Sequence, residues 1–169
     1  MIAYKFLGAG GVGPFSGFAW PLPRGRSAGP WVEATPSLCS SGIHACLVSD
    51  LPYWLNSELW EVELDDPVRS TRKLVAGRGR LLRRVEAWNR DAMCAFAASC
   101  AERTAALADG SDAPAGYSAD TAVFAARGQA SAAAFVSARA AETAGGPIAY
   151  DAERKRQARW LANRLGLCT

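Results

Sequence analysis

Leu59-Trp60-Glu61-Val62-Glu63-Leu64 alternates large apolar and acidic side chains. That is the period-two pattern of a half-buried β-strand, because successive side chains of an extended chain point to opposite faces. Asp65-Asp66-Pro67 follows with turn residues and stops the strand. At the N-terminus, Met1–Leu7 sets Ile2, Tyr4 and Phe6 on one face and predicts another strand. Short strands are expected at Trp31–Ala34, through Ile43-His44-Ala45-Cys46-Leu47, and at Lys73–Ala76. Ser49 or Asp50 can cap a short helix carrying Pro52, Tyr53, Trp54 and Leu55. Pro14, Pro21, Pro23, Pro30 and several glycines make residues 8–30 a loop.

Further along the chain the period changes. Leu81, Leu82, Val85, Trp88, Ala92, Phe96 and Cys100 recur at helical steps and predict one long amphipathic helix over 80–108. A break at Gly110–Gly116 is followed by a second helix from Ser118, with Phe124, Ser131 and Phe135 in a stripe, ending at Gly145-Gly146-Pro147. Asp151–Leu165 makes a third, stopped by Gly166. Arg80, Arg83, Arg84 and Arg90 fall on the expected exposed face of the first helix, and the mixed charges of Asp151–Gln157 on the surface of the third. The fold class is α+β. A Gly/Pro/Trp-rich lobe, 1–79, holds a small mixed or antiparallel sheet, and an Ala-rich lobe, 80–169, forms a three-helix hairpin or bundle.

The 169 residues are 50% hydrophobic and 21% charged with a net charge of +3, which supplies a core and argues against wholesale disorder. The weak basicity falls short of a nucleic-acid footprint. No apolar run approaches the ~20 residues of a membrane span, and the N-terminus has no secretory signal pattern. With five cysteines, an odd number, the expectation is a cytoplasmic chain with reduced thiols and no membrane partner. The partners left are a small-molecule or nucleotide-like ligand, and a protein or second copy docking on the helices. The residues themselves leave the cofactor unknown.

Gly8-Ala-Gly10-Gly11-Val-Gly13 matches G-x-G-x-x-G behind a strand. The dinucleotide fingerprint needs those glycines to open a helix, and Pro14, Pro21 and Pro23 forbid one. A glycine loop whose N–H groups can face an anion remains.

The chemistry-bearing cluster is Cys39-Ser-Ser-Gly42-Ile-His44-Ala-Cys46, which holds the one histidine. On a strand His44 and Cys46 share a face, and a turn at Gly42 can return Cys39 to it. A thiol beside an imidazole can act as a nucleophile with its base, or supply half of a zinc site, though the spacing is not a common zinc one. Two thiols and a histidine packed in a core fit the same residues. Glu61 and Glu63 share a strand face, where they can polarise one another or simply meet solvent. Among the aromatic residues, Trp20, Trp31 and Trp54, with Lys5, are candidate substrate-binding groups, and core or loop anchoring is the competing role.

The run Cys39-Ser-Ser-Gly-Ile-His-Ala-Cys46, a Trp/Tyr-rich helix and then Leu59–Leu64 resembles small bacterial domains with a C-x-x-G-x-H-x-C pattern. The order of elements is loosely similar to ADP-ribosyltransferase-like folds. That resemblance implies a split sheet clamping NAD, Glu63 or Glu61 orienting the ribose and His44 near the nicotinamide. Tyr4 and Lys5 stand where that superfamily has a His or Arg. The stretches Phe96–Arg103 and Glu153–Leu161 resemble Ala-rich helical proteins of the toxin-immunity kind. Three functions follow as expectations: group transfer on a polar substrate by His44, Cys39 and Cys46 with Glu61 or Glu63; a non-catalytic interaction or immunity-type protein using the helical half; and a structural zinc domain.

Overall fold

Alternating apolar segments pair antiparallel throughout the first part of the chain: β1 (Ile2–Leu7), β2 (Val32–Glu33), β3 (Ile43–Ala45), β4 (Glu58–Asp65), β5 (Val68–Ser70), β6 (Lys73–Ala76) and β7 (Arg78–Arg84). The helices α1 (Arg90–Ala108), α2 (Ala115–Ala126) and α3 (Ala130–Leu165) follow, so the class is α+β. The computed structural model describes residues 1–37, 41–108 and 115–167. Two units, Met1–Glu86 and Ala87–Thr169, each hold their own contacts. The compositional change at Gly77–Gly79 spans the bend at Gly77 and the first two residues of β7.

The first unit is a closed strand ring. One sheet runs β1-β4-β7-β2 and the other β3-β6-β5. They join at two corners. The chain passes directly from β6 into β7 at Gly77, and Cys46, just past β3, exchanges both backbone hydrogen bonds with Tyr4 of β1, at 2.7 and 2.9 Å. Ala3, Leu7, Ile43, Ala45, Trp60, Val62, Leu64, Leu74, Ala76 and Leu81 fill the interior together with Trp20. The pleat places Lys5 between Ala3 and Leu7 on that same inward face, opposite Trp60.

One end of the ring is capped by the glycine loop. Gly10 and Gly11 take φ of 73° and 74°, a left-handed pair that glycine adopts without steric cost and that turns successive N–H groups the same way. Both donate to the Glu58 carboxylate, at 3.0 and 3.1 Å, and Trp60 Nε1 adds a third bond of 3.0 Å. Arg84 stands 3.5 Å from the same group. The loop is ordered rather than merely irregular. Trp20 N donates to Gly11 O and Gly13 N to Phe18 O, closing a hairpin that presents Phe15 to solvent.

The expected helix over 80–108 forms only from Arg90. Residues 78–84 are β7, with Leu81 inward against Val62, and Arg80 and Arg83 outward against Glu63 and Glu61. Leu81, Leu82 and Val85 fit either period, so the cross-strand Glu–Arg pairs decide it. Asn89 Oδ1 then accepts from Ala92 N at 3.0 Å and starts α1. The second helix also differs. Residues 115–126 are closed off at Gly128, where Gly128 N bonds Ala125 O and Gln129 N bonds Phe124 O. Residues 130–144 therefore belong to α3, which breaks at Gly145 and Gly146 (φ 72°, ψ −169°) before resuming. Phe135 is 56% exposed, so the expected Phe124–Phe135 stripe is not the core face. Alanines of α3 are buried instead, as is Phe96 of α1, whose ring meets those of Trp88 and Trp160 edge-on.

Burial pushes the Glu58 carboxyl up, but the Gly10 and Trp60 hydrogen bonds, the Arg84 charge and the Gly11 bond outweigh it and leave its pKa below the ordinary carboxylate value. A carboxyl depressed in the folded state stabilises above its unfolded pKa, and that stability is lost as pH falls through the folded value. Glu58→Gln is expected to cost about 2 kcal/mol near neutral pH, from the loss of charge-assisted bonds. It should also flatten the acid limb of melting temperature against pH below about pH 5. An unchanged acid limb would show that the carboxylate carries no such stability.

Candidate functional site

The structure brings together some of the expected site residues and separates others. Cys39 lies outside the described residues. Lys5, Trp20, His44 and Cys46 converge on the ring. Lys5 Nζ donates to His44 O at 2.6 Å and lies 5.0 Å from the Trp20 ring centre. Ile43 and Ala45 point inward, so His44 and Cys46 share the other face of their strand.

Glu61 and Glu63 stand elsewhere. They project from the face of β4 opposite Trp60, Val62 and Leu64, where Glu61 stands across from Tyr4 and Tyr4 across from Cys46, so strand β1 lies between them and His44's strand on the outer face of the ring. Arg83 Nε binds Glu61 at 2.7 Å and Arg80 Nε binds Glu63 at 2.8 Å. These are cross-strand ion pairs, partly exposed, and they leave neither carboxylate poised as a general base beside the imidazole. Trp31 is covered by the guanidinium groups of Arg78 and Arg80, at 4.3 and 4.6 Å. Trp54 donates Nε1 to Arg72 O at 2.9 Å. Neither tryptophan belongs to the Lys5 cluster through any of these bonds.

Electrostatics sorts the cluster further. Burial, with the Asp50 carboxylate adding to it and Lys5 opposing, pushes the Cys46 thiol far above its ordinary pKa. It is therefore a protonated, packed sulfur, whereas nucleophilic cysteines have depressed values. Burial and the Lys73 charge lower the His44 pKa, main-chain bonds at Ser37 and Ser41 raise it, and Lys5 lowers it again, with a net fall. Its imidazole is neutral at pH 7, and Nε2 has no hydrogen-bond partner among the described residues. Burial lowers the Lys5 amine to about 8, against a smaller upward pull from Cys46. Among the described residues no three His, Cys, Asp or Glu side chains gather as metal ligands.

The helical unit holds a second arrangement, which the sequence reading missed. Glu153, Arg154 and Gln157 are buried, although Asp151–Gln157 was expected on the surface. Arg103 of α1 grips Glu153 through Nε and Nη2 at 3.1 and 2.9 Å. Ser137 Oγ and Gln157 Nε2 complete that carboxylate at 3.0 and 2.9 Å, and Gln157 also donates to Ala134 O. Arg154 Nη1 donates to Gln157 Oε1. Above Arg103 and Glu153 opens a groove of about 480 Å³ walled by Ala106, Leu107, Ala141, Ala144, Ala149 and Ala152, with Arg156 at its rim. The usable signal was spacing. Glu153, Gln157 and Leu161 recur every four residues on one helical face.

Alkylation with iodoacetamide near pH 8 is expected to reach the half-buried Cys94 well before Cys46 or Cys100, whose thiols burial raises, Cys100 to about 12. A Cys46 rate matching that of Cys94 would restore the thiolate reading. Set against family models, curated proteins and solved structures, the chain matches none.

Proposed function

We propose that this chain is a binding protein whose helical unit receives an apolar, acid-bearing segment of a protein partner in the groove between α1 and the two arms of α3. The observation that carries this reading is the groove's composition. Five of its ten lining residues are alanine and one is glycine, which lets a second backbone approach closely, and its size falls in the range of pockets that enclose a ligand. Its charge is one-sided. Arg103 and Arg156 flank a single lining carboxylate, Glu153, and Arg156 is 62% exposed with only a 3.9 Å contact to it. An arriving carboxylate would meet a guanidinium already held at the rim. The thiol-based alternative is weakened by the buried, protonated Cys46 and by the ion pairs that hold Glu61 and Glu63 to Arg83 and Arg80.

Selection of a random library of peptides about 16 residues long, enough for several helical turns, tests the proposal on the purified chain. Enrichment of sequences pairing apolar residues with Asp or Glu is expected. Their affinity should fall at least tenfold, about 1.4 kcal/mol, in Ala144→Trp, which fills the groove, and in Arg156→Glu. Selected peptides without acidic residues, or binding indifferent to both substitutions, would overturn it.

A further inference from the structure

Lys5 occupies a position where an alternating strand should place an apolar side chain. It stands on the inward face of β1 between Ala3 and Leu7. Buried ammonium groups ordinarily sit beside a carboxylate. None pairs with Lys5 among the described residues. Its neighbours are the His44 carbonyl, which accepts one bond of 2.6 Å, and the face of Trp20. The charged and titratable groups that act on it are few. Cys46 on the adjoining strand end is a protonated thiol with Asp50 beyond it, and His44 is a neutral imidazole facing Lys73. The Glu58 carboxylate, on the same side of the ring, is occupied by Gly10, Gly11 and Trp60.

We propose that Lys5 is a nucleophilic amine that captures a small aldehyde or ketone as an imine. The amine holds one N–H toward the His44 carbonyl, which leaves the nitrogen lone pair directed away from that bond. Lys5 as a residue keeps partial exposure, and the Trp20 ring beside its amine offers an apolar face to a carbonyl compound of a few heavy atoms. The lone pair attacks the carbonyl carbon and forms a carbinolamine. Loss of water then leaves the C=N bond, the carbonyl oxygen departing with both amine protons. No oxidant or reductant takes part. The desolvation that favours the neutral amine is the device that activates Schiff-base lysines in apolar surroundings. The inference stands apart from the groove of the helical unit.

The chain has three lysines, Lys5, Lys73 and Lys155, which supplies the internal comparison. The folded protein is incubated with glyoxylate and cyanoborohydride near pH 7.5, and the rate at each lysine is read by peptide mass spectrometry. Fragmentation separates Lys5 from the Met1 α-amine. Lys5 is expected to react at least tenfold faster than Lys155, as an amine with no carboxylate partner in apolar surroundings should. Its rate should level off above about pH 8, and Lys5→Arg should remove the fast adduct. A Lys5 rate no greater than those of Lys73 and Lys155, or one still climbing well above pH 8, would overturn the proposal.

Discussion

The Glu58 carboxylate is the point on which the first unit turns. It sits at the end of β4 on the inward face, 7% exposed, where an ionised group left alone would be expensive. Two glycine N–H groups, an indole N–H and an arginine supply what water would have supplied. The same bonds fix the loop's path, and the loop brings Trp20 into the interior over Lys5. A polar requirement at one residue thus folds a stretch whose glycines and prolines prescribe no regular structure. It also accounts for the G-x-G-x-x-G pattern, since those N–H groups are held by the chain's own carboxylate.

The helical unit solves a related problem. Alanine side chains bury little area each, so helices built from them gain modest hydrophobic stabilisation and close backbone approach. Arg103, Ser137 and Gln157 converge on Glu153 and tie α1 to both arms of α3. Removing one partner would strand a buried charge, so such a network fixes which packing forms more than it adds net stability. Carboxylates this fully occupied are poor proton donors and acceptors. That is why the chemistry points to Lys5 and to binding rather than to Glu58 or Glu153.

Much of the fold could be read from the chain. The 59–64 alternation, the strand at Met1–Leu7, the short strand at Lys73–Ala76 and the helical second half all form. The misreadings share one cause, which is long-range pairing. Leu81, Leu82 and Val85 suit a helix locally, and only Glu61 and Glu63 across the sheet make Arg78–Arg84 a strand. Glu153 and Gln157 look like surface residues until Arg103, distant in sequence, reaches them. At the candidate site, strand periodicity sufficed to place His44 and Cys46 on one face. It could not show that β1 intervenes between them and Glu61 and Glu63, which Arg83 and Arg80 engage, nor that the inward position beside Trp20 belongs to Lys5.

The most direct measurement of the central claim is hydrogen exchange at single amides of the native protein. If the Glu58 carboxylate holds the loop, the Gly10 and Gly11 amides exchange as slowly as neighbouring β1 amides, and Glu58→Ala accelerates them by orders of magnitude while the β4–β7 ladder stays protected. Gly10 and Gly11 amides exchanging at the rate of an open loop in the unaltered protein would contradict the account.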